Sequence, residues 1–315
     1  MSGADFGGLR LGLLTEINEL ASASLDHPCD LRVAVRDTPA EAPSCWTHQW
    51  TTDDDDIVLS LGRFRERHVL RFENGALFEF DRYTRTVRCP PLDPMARHQL
   101  LDHVLPRVLD DLGHLMIHGS AVDTPNGAIV FVGDSGLGKS TLAASFQSTG
   151  GNLLSDDCMR LAPRPDATVS CRPTYRSLRL WPDSVCTLMA TAQSEPMSAT
   201  QEKRRVKLPD ELTPATSATV AAICVLAAPS PGFCGVELNE LPPSQAVSSL
   251  LSQCFRLDPT DNEATKRVFE RVADVVENVP VVELVYDRSY DRLPEVRDAV
   301  LRCSADVGSA PITSA

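Results

Sequence analysis

Eight residues, Gly133-Asp-Ser-Gly-Leu-Gly-Lys-Ser140, constrain this chain more than any others. They match the phosphate-cradling pattern G-x-x-x-x-G-K-[ST] (the P-loop, or Walker A motif) at every position. The apolar run Ala128-Ile-Val-Phe-Val132 before them reads as a buried strand, and Lys139 to about Gln147 has helix-forming composition. Strand, glycine loop and helix in that order is the context the pattern requires, and it predicts an α/β unit built around this turn. Gly133, Gly136 and Gly138 allow positive φ and so turn backbone N–H groups towards an anion. Lys139 adds a mobile cation for the β- and γ-phosphates, the helix N-terminus adds its dipole end, and Ser140 offers a hydroxyl to Mg2+. The expected nucleotide-phosphate site is therefore Gly133, Asp134, Ser135, Gly136, Leu137, Gly138, Lys139, Ser140 and Thr141.

The totals narrow the partners. A formal net charge of −13 speaks against a nucleic-acid partner, because phosphate-tracking proteins are usually basic. Ten cysteines occur without one C-x-x-C pair, which speaks against a zinc ribbon or a redox dithiol. Beside a nucleotide loop they read as reduced thiols of a cytoplasmic protein. The start, Met1-Ser-Gly-Ala-Asp-Phe6, lacks a basic segment and a long apolar core, so no signal peptide is expected. No run approaches the roughly 18 apolar residues of a membrane helix, and no membrane partner is expected.

Along the chain, 57–61, 68–72 and 76–80 read as strands, the last two joined at the hairpin signal Glu73-Asn-Gly75. Asp53-Asp-Asp-Asp56 reads as a solvated loop. These features make residues 1–92 a β-rich accessory domain. Pro90-Pro91 and Pro94 mark its boundary, after which Met95 to about Leu112 repeats apolar residues at helical spacing. Strands are expected at 116–122, 128–132 and 152–155, then a hairpin over 159–161 and 168–171. A further strand is expected at 177–181, a central one at 218–227 with 235–238 beside it, and another at 281–285. Helices are expected at about 244–253, 262–276 and 293–302, closing a catalytic domain of 93–303. The small polar residues of 304–315 read as a disordered tail.

An acidic pair arrives soon after the loop, Asp156 lying 17 residues beyond Lys139. One helix fits in that interval, so strand 152–155 returns parallel to strand 128–132. Parallel strands end on one edge, where ligands bind, so Asp156 and Asp157 are expected beside the loop. One can hold Mg2+ while the other accepts a proton from an attacking hydroxyl. If 116–122 pairs antiparallel with 128–132 across Pro125-Asn126-Gly127, opposed residue numbers sum to about 250. That sets His118 across from Val132, at the mouth of the loop, as a proton-sharing or phosphate-contacting group. His114 and His118 at helical spacing also suit a metal pair, but 116–122 has strand composition. Downstream cations are Arg176, Arg179 and the cluster Glu202-Lys-Arg-Arg-Val-Lys207, with Lys203 and Arg204 the expected substrate-binding members and Arg256 a weaker one.

In order and spacing, His118-Gly, Gly133–Ser140 and Asp156-Asp157 resemble the catalytic core of HPr kinase/phosphorylase. The whole chain is similar to the HPr-kinase-like proteins that include the peptide-serine kinases of lasso-peptide biosynthetic clusters. Shared features are His118-Gly-Ser-Ala-Val122, Leu180-Trp-Pro-Asp183 and Glu202-Lys-Arg204. The resemblance implies a P-loop kinase core of the HPr kinase / phosphoenolpyruvate carboxykinase type. It also implies ATP and Mg2+ as cofactors, a serine acceptor on a peptide or small protein such as a lasso-peptide precursor, and assembly into oligomers. On it, Asp156 is the base with His118 as partner, Lys139 and the loop amides hold phosphates, Ser140 and Asp157 lie nearest the metal, and Arg179 is catalytic. The chain departs at Ser177-Leu-Arg-Leu-Trp-Pro182 and at Thr141, which bears on the dephosphorylating activity and on HPr as a substrate. Besides a serine kinase, a nucleotide-sensing regulatory protein without transfer and a small-molecule kinase remain open.

Overall fold

The computed structural model describes residues 2–13, 17, 20–22, 28–36, 41–52, 54–64, 66–175, 177–196, 202–206, 208 and 217–308. Its contacts divide the chain into two compact units, Met1–His114 with Phe255–Arg267, and Leu115–Cys254 with Val268–Ala315. Residues 94–114 thus group with the first unit, beyond the proline-marked boundary at 92.

The first unit carries β1 (Ser2–Phe6), β2 (Leu9–Leu13), β3 (Ala21–Ser22), β4 (Leu31–Val35), β5 (His48–Thr51), β6 (Ile57–Phe64), β7 (Arg67–Phe72), β8 (Leu77–Asp81) and β9 (Thr86–Cys89). They form one sheet in the order β3-β1-β2-β4-β9-β8-β7-β6-β5. The expected hairpin joins β7 to β8, its turn closed by Phe72 N–H on Ala76 O at 3.0 Å. Asp54, Asp55 and Asp56 are exposed, as a solvated loop requires, while Asp53 lies outside the described residues.

The amphipathic segment after the prolines is α1 (Pro94–Gln99), a π-helical turn (Leu100–Val104) and α2 (Leu105–Asp111). Asp93 starts it, accepting from Ala96 N at 2.8 Å. Pro106 explains the interruption. Its ring displaces the carbonyl four residues back and it has no N–H to donate, so the ladder widens there and Leu105 N–H reaches back five residues to Leu100 O.

His68 on β7 is 3% exposed, stacks on Phe80 at 6.3 Å, and neither ring nitrogen has a hydrogen-bond partner among the described residues. Burial lowers its pKa from 6.5, with Asp111 and Asp258 pulling upward and Arg63 and Arg82 downward. The unfolded chain therefore takes up a proton near the ordinary value while the fold resists one. Stability is present above that value and is lost as pH falls through the lowered one. His68→Phe keeps the ring and removes the titration. Its denaturation midpoint is expected to fall less between pH 7 and pH 5 than the parent's, and an equal fall would exclude this account.

The second unit contains β10 (Leu115–Ile117), β11 (Ser120–Thr124), β12 (Gly127–Val132), α3 (Lys139–Gln147), β13 (Asn152–Asp156), β14 (Met159–Pro163) and β15 (Val169–Pro173). There follow β16 (Leu178–Leu180), α4 (Pro182–Leu188), β17 (Ser194–Pro196), β18 (Arg204–Val206), β19 (Ala218–Ala227) and β20 (Val236–Glu240). Last come α5 (Pro243–Ser252), α6 (Asn262–Asn278, in this unit from Val268), β21 (Val281–Tyr286) and α7 (Leu293–Gly308). The main sheet runs β10-β14-β15-β19-β12-β11-β13, with β21 beside β19 and β20 beside β21. β12, β19 and β21 are parallel. Because β11 is antiparallel to both neighbours, β13 runs parallel to β12 with β11 between them.

Alternation along β12 builds both cores. Ile129 and Phe131 share one core with Leu142 and Phe146 of α3 and Val296 of α7, whereas Ala128, Val130 and Val132 share the other with Leu250 of α5 and Val272 of α6. Phe131, wholly buried, contributes about 1.5–3 kcal/mol by leaving water.

Four expectations change. Strand 116–122 is broken at His118-Gly119, because β10 leaves to pair with β14 while β11 stays with β12 and β13. β20 pairs with β21 instead of with the central β19, whose edges are already taken by β12 and β21. β16 joins a separate small sheet, β16-β18-β17. The last helix continues to Gly308, so 304–308 are helical, while 309–315 lie outside the described residues. Among the described residues, no helix is long and apolar enough to cross a membrane.

Candidate active site

The glycine loop leaves β12 at Gly133, where φ is 134° and a Cβ would sit 2.8 Å from Leu226 O of β19. The parallel pairing of Val132 with Val225 brings that backbone so close, so only glycine fits. The loop re-enters helix at Gly138, with φ 98° and the Tyr286 hydroxyl 2.7 Å from where a Cβ would stand. No side chain caps the start of α3. Its first N–H groups are thus available to an anion. Lys139 is 8% exposed and folds back over the loop, donating from Nζ to Gly133 O at 2.7 Å and Asp134 O at 3.0 Å. Burial lowers its proton affinity, and Asp157 and Asp156 oppose that.

The register of β11 and β13 places Ser120 opposite Asp156. Asp156, 1% exposed, accepts on Oδ1 from Ser120 Oγ at 2.5 Å and Ser140 Oγ at 2.8 Å, and on Oδ2 from Arg179 N at 2.8 Å. Asp157 follows with φ 76°, a left-handed conformation that turns its side chain away from the strand's alternation. Its Oδ2 pairs with Arg179 Nη1 at 2.5 Å. Its Oδ1 lies 3.7 Å from His118 Nδ1, and its backbone oxygen lies 2.9 Å from the same nitrogen. A carbonyl only accepts, so Nδ1 carries the imidazole proton and Nε2 the lone pair. Burial pushes His118 below its ordinary 6.5, with Asp157 pulling it up.

These groups share a cavity of about 160 Å³ lined by His118, Ser135, Gly136, Gly138, Lys139, Ser140, Thr141, Asp156, Asp157, Arg179, Trp181 and Lys203. The loop, the acidic pair, His118 and Arg179 therefore meet. Two details differ from the sequence reading. His118 is not in register with Val132; it sits at the break between β10 and β11, its N–H on Gln253 O at 2.8 Å. The aspartates also divide their contacts in reverse, the loop serine taking Asp156 while His118 and the Arg179 guanidinium take Asp157. The cause is the left-handed turn after β13, which strand periodicity does not reveal.

Of the other expected residues, Leu137 packs on the α3-side core and Asp134 offers its carbonyl to Lys139. Arg204 stands outside the cavity lining, its guanidinium on Ser194 Oγ and Ser194 O, both at 2.8 Å. Arg176 and Lys207 lie outside the described residues, and Arg256 belongs to the first unit with Thr265. Sequence reasoning left three residues without a role. Ser120 had its cue in the H-x-S-A-V stretch. Arg288 reaches Gly136 O at 2.7 Å from the end of β21, an edge the parallel-strand rule points to. Trp181 had its cue in Leu180-Trp-Pro-Asp183. Thr141 is held through Ser184 Oγ (3.2 Å) to the Tyr290 hydroxyl (2.8 Å), which donates to Asp183 Oδ2 at 2.9 Å.

Among the described residues, no three His, Cys, Asp or Glu side chains converge as a self-sufficient metal site. Mg2+ does not need one, since it keeps several waters and takes one or two protein oxygens together with substrate phosphates. Ser140 and Asp156, 2.8 Å apart, match that donor set.

Fold and site together define a mixed α/β protein with a glycine-loop cavity carrying an acidic pair. No family model matches the chain, and no curated protein matches it. Among solved structures, the Hpr(Ser) kinase/phosphatase from Coxiella burnetii is similar at a TM-score of 0.33 and 10% identity, covering 62% of this chain and 99% of its own. A likeness of that size decides nothing about activity, which has to be read from the residues of the cavity.

Proposed function

We propose that this protein is an Mg2+- and ATP-dependent kinase that phosphorylates a hydroxyl, specifically a serine on a peptide or small protein. One observation carries the reading: two adjacent carboxylates share a cavity with the glycine loop but have different commitments. Asp156 is buried and accepts three hydrogen bonds, one of them from Ser140, which leaves a lone pair on Oδ2 in the place for a metal-positioning group. Asp157 is part-exposed beside His118 and Arg179, the place for a group that meets an acceptor.

The loop amides and Lys139 would hold the β- and γ-phosphates, and Ser140 and Asp156 would hold Mg2+, which would supply neutralisation of the developing phosphate charge. Asp157 Oδ1 receives the acceptor's hydroxyl proton, and Arg179, on Oδ2, keeps that carboxylate aimed. The acceptor oxygen bonds to the γ-phosphorus as the bond from that phosphorus to the bridging oxygen breaks, the electron pair leaving with ADP. His118 Nδ1, fixed on the Asp157 carbonyl, holds the left-handed turn that presents Asp157. The exchange of roles between Asp156 and Asp157, relative to the sequence reading, is part of this proposal.

The test is incubation with γ-labelled ATP and Mg2+ against serine-containing peptides, including lasso-type precursors, and against free hydroxylated metabolites. Phosphoserine on a peptide is the expected result. Label on a metabolite alone would make the protein a small-molecule kinase, and nucleotide binding without any labelled product would make it a sensor.

A further inference from the structure

The small sheet sets a second wall on the cavity, opposite in kind to the glycine loop. In the antiparallel pairing of β16 with β18, Leu178 faces Val206, Arg179 faces Arg205 and Leu180 faces Arg204. One step further along the same register sets Trp181 against Lys203, and there the Lys203 ammonium lies over the indole ring, 5.6 Å from its centroid. Trp181 is 46% exposed, unusual for the largest apolar side chain, and both residues line the cavity. Lys203 has no carboxylate partner among the described residues. Its ammonium and that of Lys139 repel one another across the cavity. With Arg179 they make three cations facing the two carboxylates Asp156 and Asp157. Two mutually repelling ammonium groups, one of them resting on an aromatic face, are poised for a polyanion placed between them. An aromatic face holds an exposed cation more weakly than a charge-assisted hydrogen bond to phosphate does.

We propose that Lys203 is a γ-phosphate-sensing cation, held on Trp181 in the free protein and transferred to the terminal phosphate of a bound nucleoside triphosphate. This rests on the function proposed above and adds to it how the site tells the triphosphate from the diphosphate. Lys139 is anchored to the loop that cradles the phosphates, whereas Lys203 approaches from the facing sheet, where the transferring group must lie if the acceptor is to reach Asp157. Trp181 fixes where the lysine waits and limits the rotamer freedom lost when it engages phosphate.

The experiment measures dissociation constants, by calorimetry, for ADP and for a non-hydrolysable ATP analogue with Mg2+. The parent protein is compared with Lys203→Met, Lys203→Arg and Trp181→Ala. Lys203→Met is expected to weaken the analogue by about ten- to a hundredfold, the size of a lost hydrogen bond to a charged group, with ADP unchanged. Lys203→Arg retains the preference for the analogue, and Trp181→Ala loses part of it. Equal weakening of both ligands, or of neither, overturns the proposal while leaving the kinase reading intact. Failure of the parent to bind either nucleotide removes both.

Discussion

Replacing Asp157 by asparagine is expected to lower phosphoryl transfer by about 10²- to 10⁴-fold, the contribution of a positioned base, with ADP affinity within about twofold of the parent. Asparagine suits the test because it tolerates the left-handed backbone that Asp157 adopts at φ 76°. It preserves size and removes only the charge that can receive a proton. The Arg179 guanidinium keeps a neutral acceptor in place of the carboxylate it now meets at 2.5 Å. Single-turnover transfer and calorimetric ADP binding, measured on the same preparation, separate chemistry from folding. Should Asp157→Asn turn over normally while Asp156→Asn does not, the base is Asp156 after all and the contact-based division of roles is wrong.

Asp156→Ala is expected to act on stability and on the metal together. The carboxylate is the acceptor for Ser120 Oγ, Ser140 Oγ and Arg179 N in a site that is 1% exposed. Alanine removes the acceptor of all three donors, of which Ser120 Oγ and Arg179 N are buried and Ser140 Oγ is part-buried. Each stranded buried donor costs about 1–3 kcal/mol; because the two hydroxyls can rotate towards other acceptors, the sum is about 2–4 kcal/mol. Urea denaturation of the second unit reads that loss. Nucleotide binding by the remaining folded protein is expected to lose its enhancement by Mg2+, because Ser140 alone is left to meet the ion. An undiminished denaturation midpoint would show that Asp156 is not the hub of these contacts, and undiminished Mg2+ enhancement would show that it does not serve the metal.

These expectations draw on different levels of the molecule. The loop was legible residue by residue, because a turn with three glycines and a lysine between an apolar run and a helix former leaves the backbone few alternatives. The arrival of an acidic pair at the same edge followed from chain length: one helix between Lys139 and Asp156 forces a parallel return. That inference survives the insertion of β11 between β12 and β13, since antiparallel pairing on both sides preserves the direction. The pairing of His118 with Val132 did not survive, because it assumed one continuous strand where two sheet neighbours compete for 115–124 and the chain breaks between them.

By itself, then, the amino-acid order determined where a glycine turn leads a strand into a helix, that carboxylates arrive beside it, and that the first third is rich in strands. These depend on glycine geometry, side-chain periodicity and connection length, all properties of neighbours along the chain. Tertiary structure alone decided which aspartate meets Ser140 and which meets His118, that Trp181 receives Lys203, and that Arg288 reaches the loop from β21. Each of those is a contact across strand register or across a left-handed turn, where one residue of shift reverses the direction of every side chain and no local pattern records the choice.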